Sequence, residues 1–224
     1  MVRDVKDHWF RQAKREGYRS RAAFKLTDID DRKKIISKGD RVLDCGAAPG
    51  SWSQVAGRRV GRRGSVVAVD LKAIDPAGLP ENVELHEADL CELDLAALGG
   101  EPFDVVLSDM APDTTGDPFG DHHRSIRLCN VLLDRVPEWL RPGGNLVMKV
   151  FEGEAYRDLL VRANGLFQKA KGFKPVASRS ESVEMFVICT DFLPPDERDH
   201  GDAGDSEEMI PVPPRPKPSP GWND

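Results

Sequence analysis

No apolar run in this 224-residue chain approaches the roughly 20 residues that a membrane-spanning helix needs, so no membrane partner is expected. The opening Met1-Val2-Arg3-Asp4 has charge but no apolar stretch behind it, and no secretory signal is read there. Cysteine is scarce: Cys45, Cys91, Cys129 and Cys189 are scattered, with no C-x-x-C pair. That pattern predicts reduced thiols in a cytoplasmic protein and excludes a disulfide scaffold. His122 and His123 are adjacent with no Cys or His nearby at ligand spacing, so no metal is expected. The dinucleotide fingerprint G-x-G-x-x-G is absent, which argues against a nucleotide oxidoreductase. No heptad pattern appears, and a monomer is the expectation.

The net charge of −6 hides an asymmetry. Residues 1–38 carry twelve Lys/Arg against six Asp/Glu, whereas residues 191–224 carry three against nine. This predicts three regions: a basic helical arm over 1–38 packed on the body, a catalytic domain over 39–193, and a disordered Pro-rich acidic tail over 194–224.

Apolar periodicity predicts helices over 4–16 and 20–36, with Ser20 as N-cap, and then an alternation of strands and helices. Strands are expected at 41–45, 65–69, 83–86, 103–107 and 145–150, with helices from 51, over 123–140 and over 155–170. Two late strands, 174–177 and 185–189, have no helix between them and predict an antiparallel edge hairpin. The expected class is α/β: a Rossmann-like, mostly parallel seven-stranded sheet.

In such sheets ligands bind beyond the carboxyl ends of the strands. The first strand runs into Asp44-Cys45-Gly46-Ala47-Ala48-Pro49-Gly50-Ser51-Trp52, a shelf of small residues that a ligand can approach closely. Asp70 closes the second strand, where a carboxylate can take both hydroxyls of a ribose, and Asp89 follows the third, within reach of an adenine amino group. Each acid alone is equally well read as a helix cap. Together with the loop over Gly46, Gly50 and Trp52, they point to S-adenosyl-L-methionine as cofactor.

Four segments resemble the RrmJ/FtsJ family: 19–26 (Arg-Ser-Arg-Ala-Ala-Phe-Lys-Leu), 44–54, 108–112 (Ser-Asp-Met-Ala-Pro) and 149–154 (Lys-Val-Phe-Glu-Gly-Glu). The likeness spans about residues 5–190 with the segments in order. It implies a methyltransferase that modifies the ribose 2′-hydroxyl of a uridine in 23S ribosomal RNA, with the RNA of the assembled large subunit as partner. It also implies a catalytic Lys-Asp-Lys-Glu tetrad, matched here by Lys25, Asp109, Lys149 and Glu184, with Asp109 also at the cofactor. Glu181 competes for the last place, but Glu184 abuts the apolar run 185–188. The resemblance gives Lys149 the role of taking the hydroxyl proton or stabilising the oxygen electrostatically. Gly50-Ser51 departs from the family's usual pair of glycines, a change shared with transfer-RNA relatives.

The basic residues Arg3, Lys6, Arg11, Lys14, Arg15, Arg19 and Arg21, interleaved with Trp9, Phe10 and Tyr18, are candidates for phosphate contact and base stacking. Trp9 and Phe10 are equally well read as pins that fix the arm to the body. Two rivals remain: a transfer-RNA ribose methyltransferase, and a non-catalytic RNA-binding or ribosome-assembly protein on the same scaffold. A small-molecule O-methyltransferase fits poorly with the basic arm and the two lysines.

Overall fold

The computed structural model describes residues 2–178, 182–196 and 198, with the side chains of 2–7 left aside. Seven strands form one sheet: β1 (Arg41–Cys45), β2 (Ser65–Asp70), β3 (Val83–Glu87), β4 (Phe103–Ser108), β5 (Leu140–Phe151), β6 (Phe167–Phe173) and β7 (Glu184–Phe192). Their order is β3-β2-β1-β4-β5-β7-β6. The first five are parallel, and β7 is antiparallel to both β5 and β6. Among the described residues five α-helices accompany them: α1 (Val2–Arg15), α2 (Ala22–Lys33), α3 (Ser51–Val60), α4 (Pro118–Trp139) and α5 (Tyr156–Asn164).

The sheet is covered on both faces, which is why its central strands read as continuous apolar runs. One face is packed by Cys129, Leu132, Val136 and Trp139 of α4 and by Leu159 and Ala163 of α5. The other is packed by Ala23, Leu26 and Ile29 of α2 and by Trp52, Val55 and Ala56 of α3. Strand residues alternate between them: Leu146, Met148 and Val150 of β5 face α4, while Val147 faces α2 and α3. By the same alternation, Lys149 belongs to the α2 face. On β7, Phe186 and Ile188 lie on that face too, and Glu184 is in phase with them.

Several boundaries differ from expectation. The first helices are Val2–Arg15 and Ala22–Lys33, and Arg21 rather than Ser20 is the N-cap of α2. α4 begins at Pro118 rather than 123, because Asp117 caps it by accepting from the N–H groups of Phe119 and Gly120 at 3.2 and 3.1 Å. The helix expected over 155–170 stops at Asn164, and 167–173 is the edge strand β6, not 174–177. Phe167 and Ala170 are buried three residues apart, a helical spacing, while Lys169 and Lys171 point outward and guard the sheet edge. Cys45, Cys129 and Cys189 are buried free thiols; Cys91 is exposed. The tail from 199 onward lies outside the described residues, as does Glu181. Among the described residues no helix is long and apolar enough to cross a membrane.

Candidate active site

The strand order reverses between β1 and β4, so the loops leaving these two neighbours diverge and open a crevice at their carboxyl ends. Asp109 follows β4 directly, and Lys149 lies near the end of β5. Because β7 runs antiparallel, its first residue Glu184 lies at this same end, paired with Phe151. α2 delivers Lys25 from the face above. Four residues spread over 160 positions of sequence therefore converge.

Their contacts are specific. Lys25 Nζ donates to both carboxylate oxygens of Glu184, at 2.7 and 2.8 Å, and lies 5.7 Å from the centre of the Phe186 ring. Lys149 Nζ donates to the backbone carbonyl of Asp109, stands 3.0 Å from Asp109 Oδ1, and is 3.8 Å from Glu184 Oε1. Both lysines are more than nine-tenths buried. Lysine is almost never buried unless paired, and here two ammonium groups meet two carboxylates. Asp109 Oδ1 is buried and, although in ion-pair range of Lys149, accepts no aligned hydrogen bond, leaving a lone pair available.

The loop after β1 holds Gly46 and Gly50 in left-handed backbone, at φ +69° and +101°. A Cβ on Gly46 would fall 2.4 Å from Met110 Cγ and 3.2 Å from Met110 Cα, so only glycine lets the β1 and β4 loops approach. Asp70 takes the Ala48 N–H on Oδ2 at 2.8 Å and the Lys72 N–H on Oδ1 at 2.9 Å. Its carboxylate thus holds the shelf while each oxygen keeps a further lone pair. Asp89 is exposed and caps a short 3-10 turn by accepting from Cys91 N–H at 2.9 Å. The Trp52 side chain is buried against Phe186, and its indole N–H donates to Ala22 O at 2.9 Å. Its backbone N–H lies in the first turn of α3, where helix N–H groups have no intrahelical acceptor.

Two residues beside the loop have partners that sequence reasoning does not reveal. Asp44 is fully buried at the end of β1; Ser53 Oγ donates to its Oδ2 at 2.5 Å, and its Oδ1 has no hydrogen-bond partner. Burial above all, with Asp109 and Asp70 adding their negative charge, pushes its carboxyl up to about 7. The folded state then binds a proton that the unfolded chain, with its carboxyl near 3.8, releases. Stability contributed by Asp44 is therefore lost as pH rises from about 4 to about 7. In the cofactor-free protein, the Tm difference between Asp44→Asn and wild type grows in favour of the variant across that window. A pH-independent difference in thermal melts would refute the assignment.

Arg19 is the other. Its guanidinium donates to the carbonyls of Pro49 at 2.5 Å, Ala77 at 2.6 Å, and Asp75. It fastens the loop after β1 to the loop after β2, which leaves the guanidinium engaged with protein carbonyls. Arg19→Ala is expected to weaken cofactor binding about tenfold, since charged hydrogen bonds contribute roughly 1.5–3 kcal/mol when buried and less here. The salt dependence of RNA binding stays unchanged; a shallower slope in a binding titration would restore the phosphate reading. Trp9 is likewise spent on packing, with its ring 5.1 Å from that of Phe24, and Tyr18 stands 5.6 Å from the same ring. Phe10 is 61% exposed and Lys14 lies beside it, so these keep the stacking and phosphate roles open. Arg3 and Lys6 fall where side chains are not described.

A doubly wound sheet with a glycine shelf that lacks the dinucleotide spacing, and acids at successive strand ends, has the architecture of a Rossmann-like methyltransferase. The FtsJ-like methyltransferase family model matches residues 18–192, and the chain belongs to that family. It is 47% identical over 187 residues to the ribosomal RNA large subunit methyltransferase E of Syntrophobacter fumaroxidans, covering 82% of this chain and 94% of that protein. A ribosomal RNA methyltransferase from Plasmodium falciparum superposes with a TM-score of 0.70 at 26% identity, over 79% of this chain and all of that one. The fold is shared with Aeropyrum pernix fibrillarin, solved with S-adenosyl-L-methionine bound, at a TM-score of 0.54 and 17% identity over 77% of this chain and 75% of that one.

Proposed function

We propose that the protein transfers a methyl group from S-adenosyl-L-methionine to the 2′-hydroxyl of a ribose, a uridine by family resemblance, in 23S ribosomal RNA of the large subunit. The observation that carries this is the packing of Lys149 between Asp109 and Glu184, with Lys25 on the far side of Glu184, at the sheet's switch point.

The residues fit the cofactor. The buried Asp44 Oδ1, which has no hydrogen-bond partner, suits a ligand that carries an ammonium and a sulfonium, and the shelf lacks the features that would cradle a pyrophosphate. Gly46, Gly50 and the Trp52 backbone would line the amino-acid end, Asp70 the ribose and Asp89 the adenine. When bound, the cofactor supplies an electrophilic methyl on sulfur.

The chain supplies position and charge. Lys149 holds the hydroxyl oxygen and offsets its growing negative charge, and acceptors on several sides of Nζ favour this electrostatic role over that of a base. Asp109 Oδ1 orients the hydroxyl by accepting its hydrogen bond and is the carboxylate that takes the proton as the methyl moves from sulfur to oxygen. Lys25 and Glu184 fix one another and frame Lys149, a near-attack arrangement that lowers the entropic cost of reaction. The assembled large subunit in the cytoplasm is the substrate of this reading.

The test incubates the protein with methyl-labelled cofactor and undermethylated large subunits, followed by alkaline hydrolysis of the RNA. A 2′-O-methyl blocks cleavage of the next phosphodiester, so label in an alkali-resistant dinucleotide is the expected result. Label in transfer RNA instead moves the substrate; none in either RNA, with cofactor bound, favours the assembly-scaffold reading.

A further inference from the structure

Beyond the pairing of Ser108 with Met148, β5 continues to Phe151 with no β4 residue beside it. On its other side β7 pairs as far as Phe151, and Glu152 N–H donates to Val183 O at 2.7 Å. Backbone groups alternate in direction along a strand, so Lys149 and Phe151 turn theirs toward the side that β4 has left. Buried there without partners, those groups would cost stability.

Their partners come from one stripe of α4. Cys129, Ser125 and His122 recur at helical spacing, and all three are at least 97% buried. Cys129 Sγ donates to Lys149 O at 3.2 Å. Burial pushes that thiol up to about 12, so it keeps its proton and remains a donor. Ser125 Oγ accepts from Phe151 N–H at 3.0 Å while donating to His122 O at 2.7 Å. His122 Nε2 accepts from Ala155 N–H at 3.1 Å, which leaves Nδ1 to carry the proton and donate to Phe151 O at 2.7 Å. Only the neutral Nδ1–H ring satisfies both bonds, because an imidazolium would aim a second donor at the Ala155 N–H. Gly153 lets the ring sit this close: a Cβ there would lie 2.5 Å from His122 Cγ.

We infer that the His122–Ser125–Cys129 stripe positions Lys149 for methyl transfer by holding the backbone of the β5 end in place of a neighbouring strand. The inference rests on the reading of Lys149 as the group that faces the substrate hydroxyl. These are positioning residues: none touches the reacting atoms, and each acts on Lys149 through main-chain bonds.

The experiment measures kcat, KM for cofactor and RNA, and cofactor affinity for full-length His122→Phe, Cys129→Ala and Cys129→Ser, beside a Lys149→Ala control. His122→Phe keeps the ring and removes both bonds. It is expected to lower kcat about 10- to 100-fold with both KM values within about threefold, the effect of a small misplacement of a reacting group. Cys129→Ser keeps a donor and stays within about threefold of wild type, whereas Cys129→Ala falls about tenfold. Where His122→Phe does not fold, the two Cys129 variants decide alone, and equal kcat values for them overturn the proposal. Wild-type kcat in His122→Phe beside an inactive Lys149→Ala also overturns it. An active Lys149→Ala instead removes the reading of Lys149 on which it stands. Nitrogen NMR of the ring gives an independent readout: protonated Nδ1 with bare Nε2 supports the stripe, and an Nε2–H ring overturns it.

Discussion

Replacing Lys149 with alanine lowers the rate of methyl transfer about 10³-fold while cofactor affinity changes little. The magnitude follows from what the ammonium does. It is more than nine-tenths buried, within 3.0 Å of one carboxylate and 3.8 Å of another, in a crevice where water offers little competing stabilisation. A ribose hydroxyl that must become alkoxide-like in this place has Lys149 as its adjacent cation, since Lys25 is engaged by both oxygens of Glu184. Lys149→Arg is expected to be nearly as inactive. A planar guanidinium cannot occupy the point that Nζ shares between the carbonyl and carboxylate of Asp109. Single-turnover transfer of labelled methyl, with calorimetric titration of the cofactor, separates the step from binding. A Lys149→Ala enzyme keeping more than a tenth of the wild-type rate would sink this assignment.

Glu184→Ala costs both stability and activity. It leaves Lys25 buried without its bidentate partner and takes the second carboxylate from Lys149. Breaking a buried pair from one side costs about 3–5 kcal/mol. For a domain of this size that is a fall in Tm of roughly 6–20 °C. The double variant Lys25→Met/Glu184→Leu is expected to regain most of the lost Tm, because well-packed apolar groups of similar volume replace buried ion pairs at little cost. It stays catalytically impaired, since the frame around Lys149 is gone. Melting curves and transfer rates on the three proteins decide the matter. A double variant as unstable as Glu184→Ala alone would show that the pair contributes through packing and not through charge.

The parallel core was legible because burial on both faces leaves β1, β2, β4 and the second half of β5 dominated by apolar residues, with turn residues between them. β6 was not legible, since its buried Phe167 and Ala170 mimic a helical face and its edge position favours lysine. The start of α4 was present in the sequence as Asp117-Pro118, a cap followed by proline at the first helical position, which apolar periodicity does not detect. Residue types near the cofactor loop were readable, but their duties were not. Trp52 and Arg19 look like ligand and RNA contacts in sequence, yet one is committed to the core and the other to three loop carbonyls.

Sequence by itself determined the alternation of strands and helices and the glycine shelf after β1, because each rests on local pattern, while the family resemblance pointed to Lys25, Asp109, Lys149 and Glu184. Tertiary structure alone decided that Lys25 reaches Glu184 across the sheet, that Asp44 is fully buried, and that α4 holds the backbone beyond Lys149. Those outcomes depend on strand order, antiparallel return and burial, which bring distant residues together and set the electrostatic environment that a linear pattern does not encode.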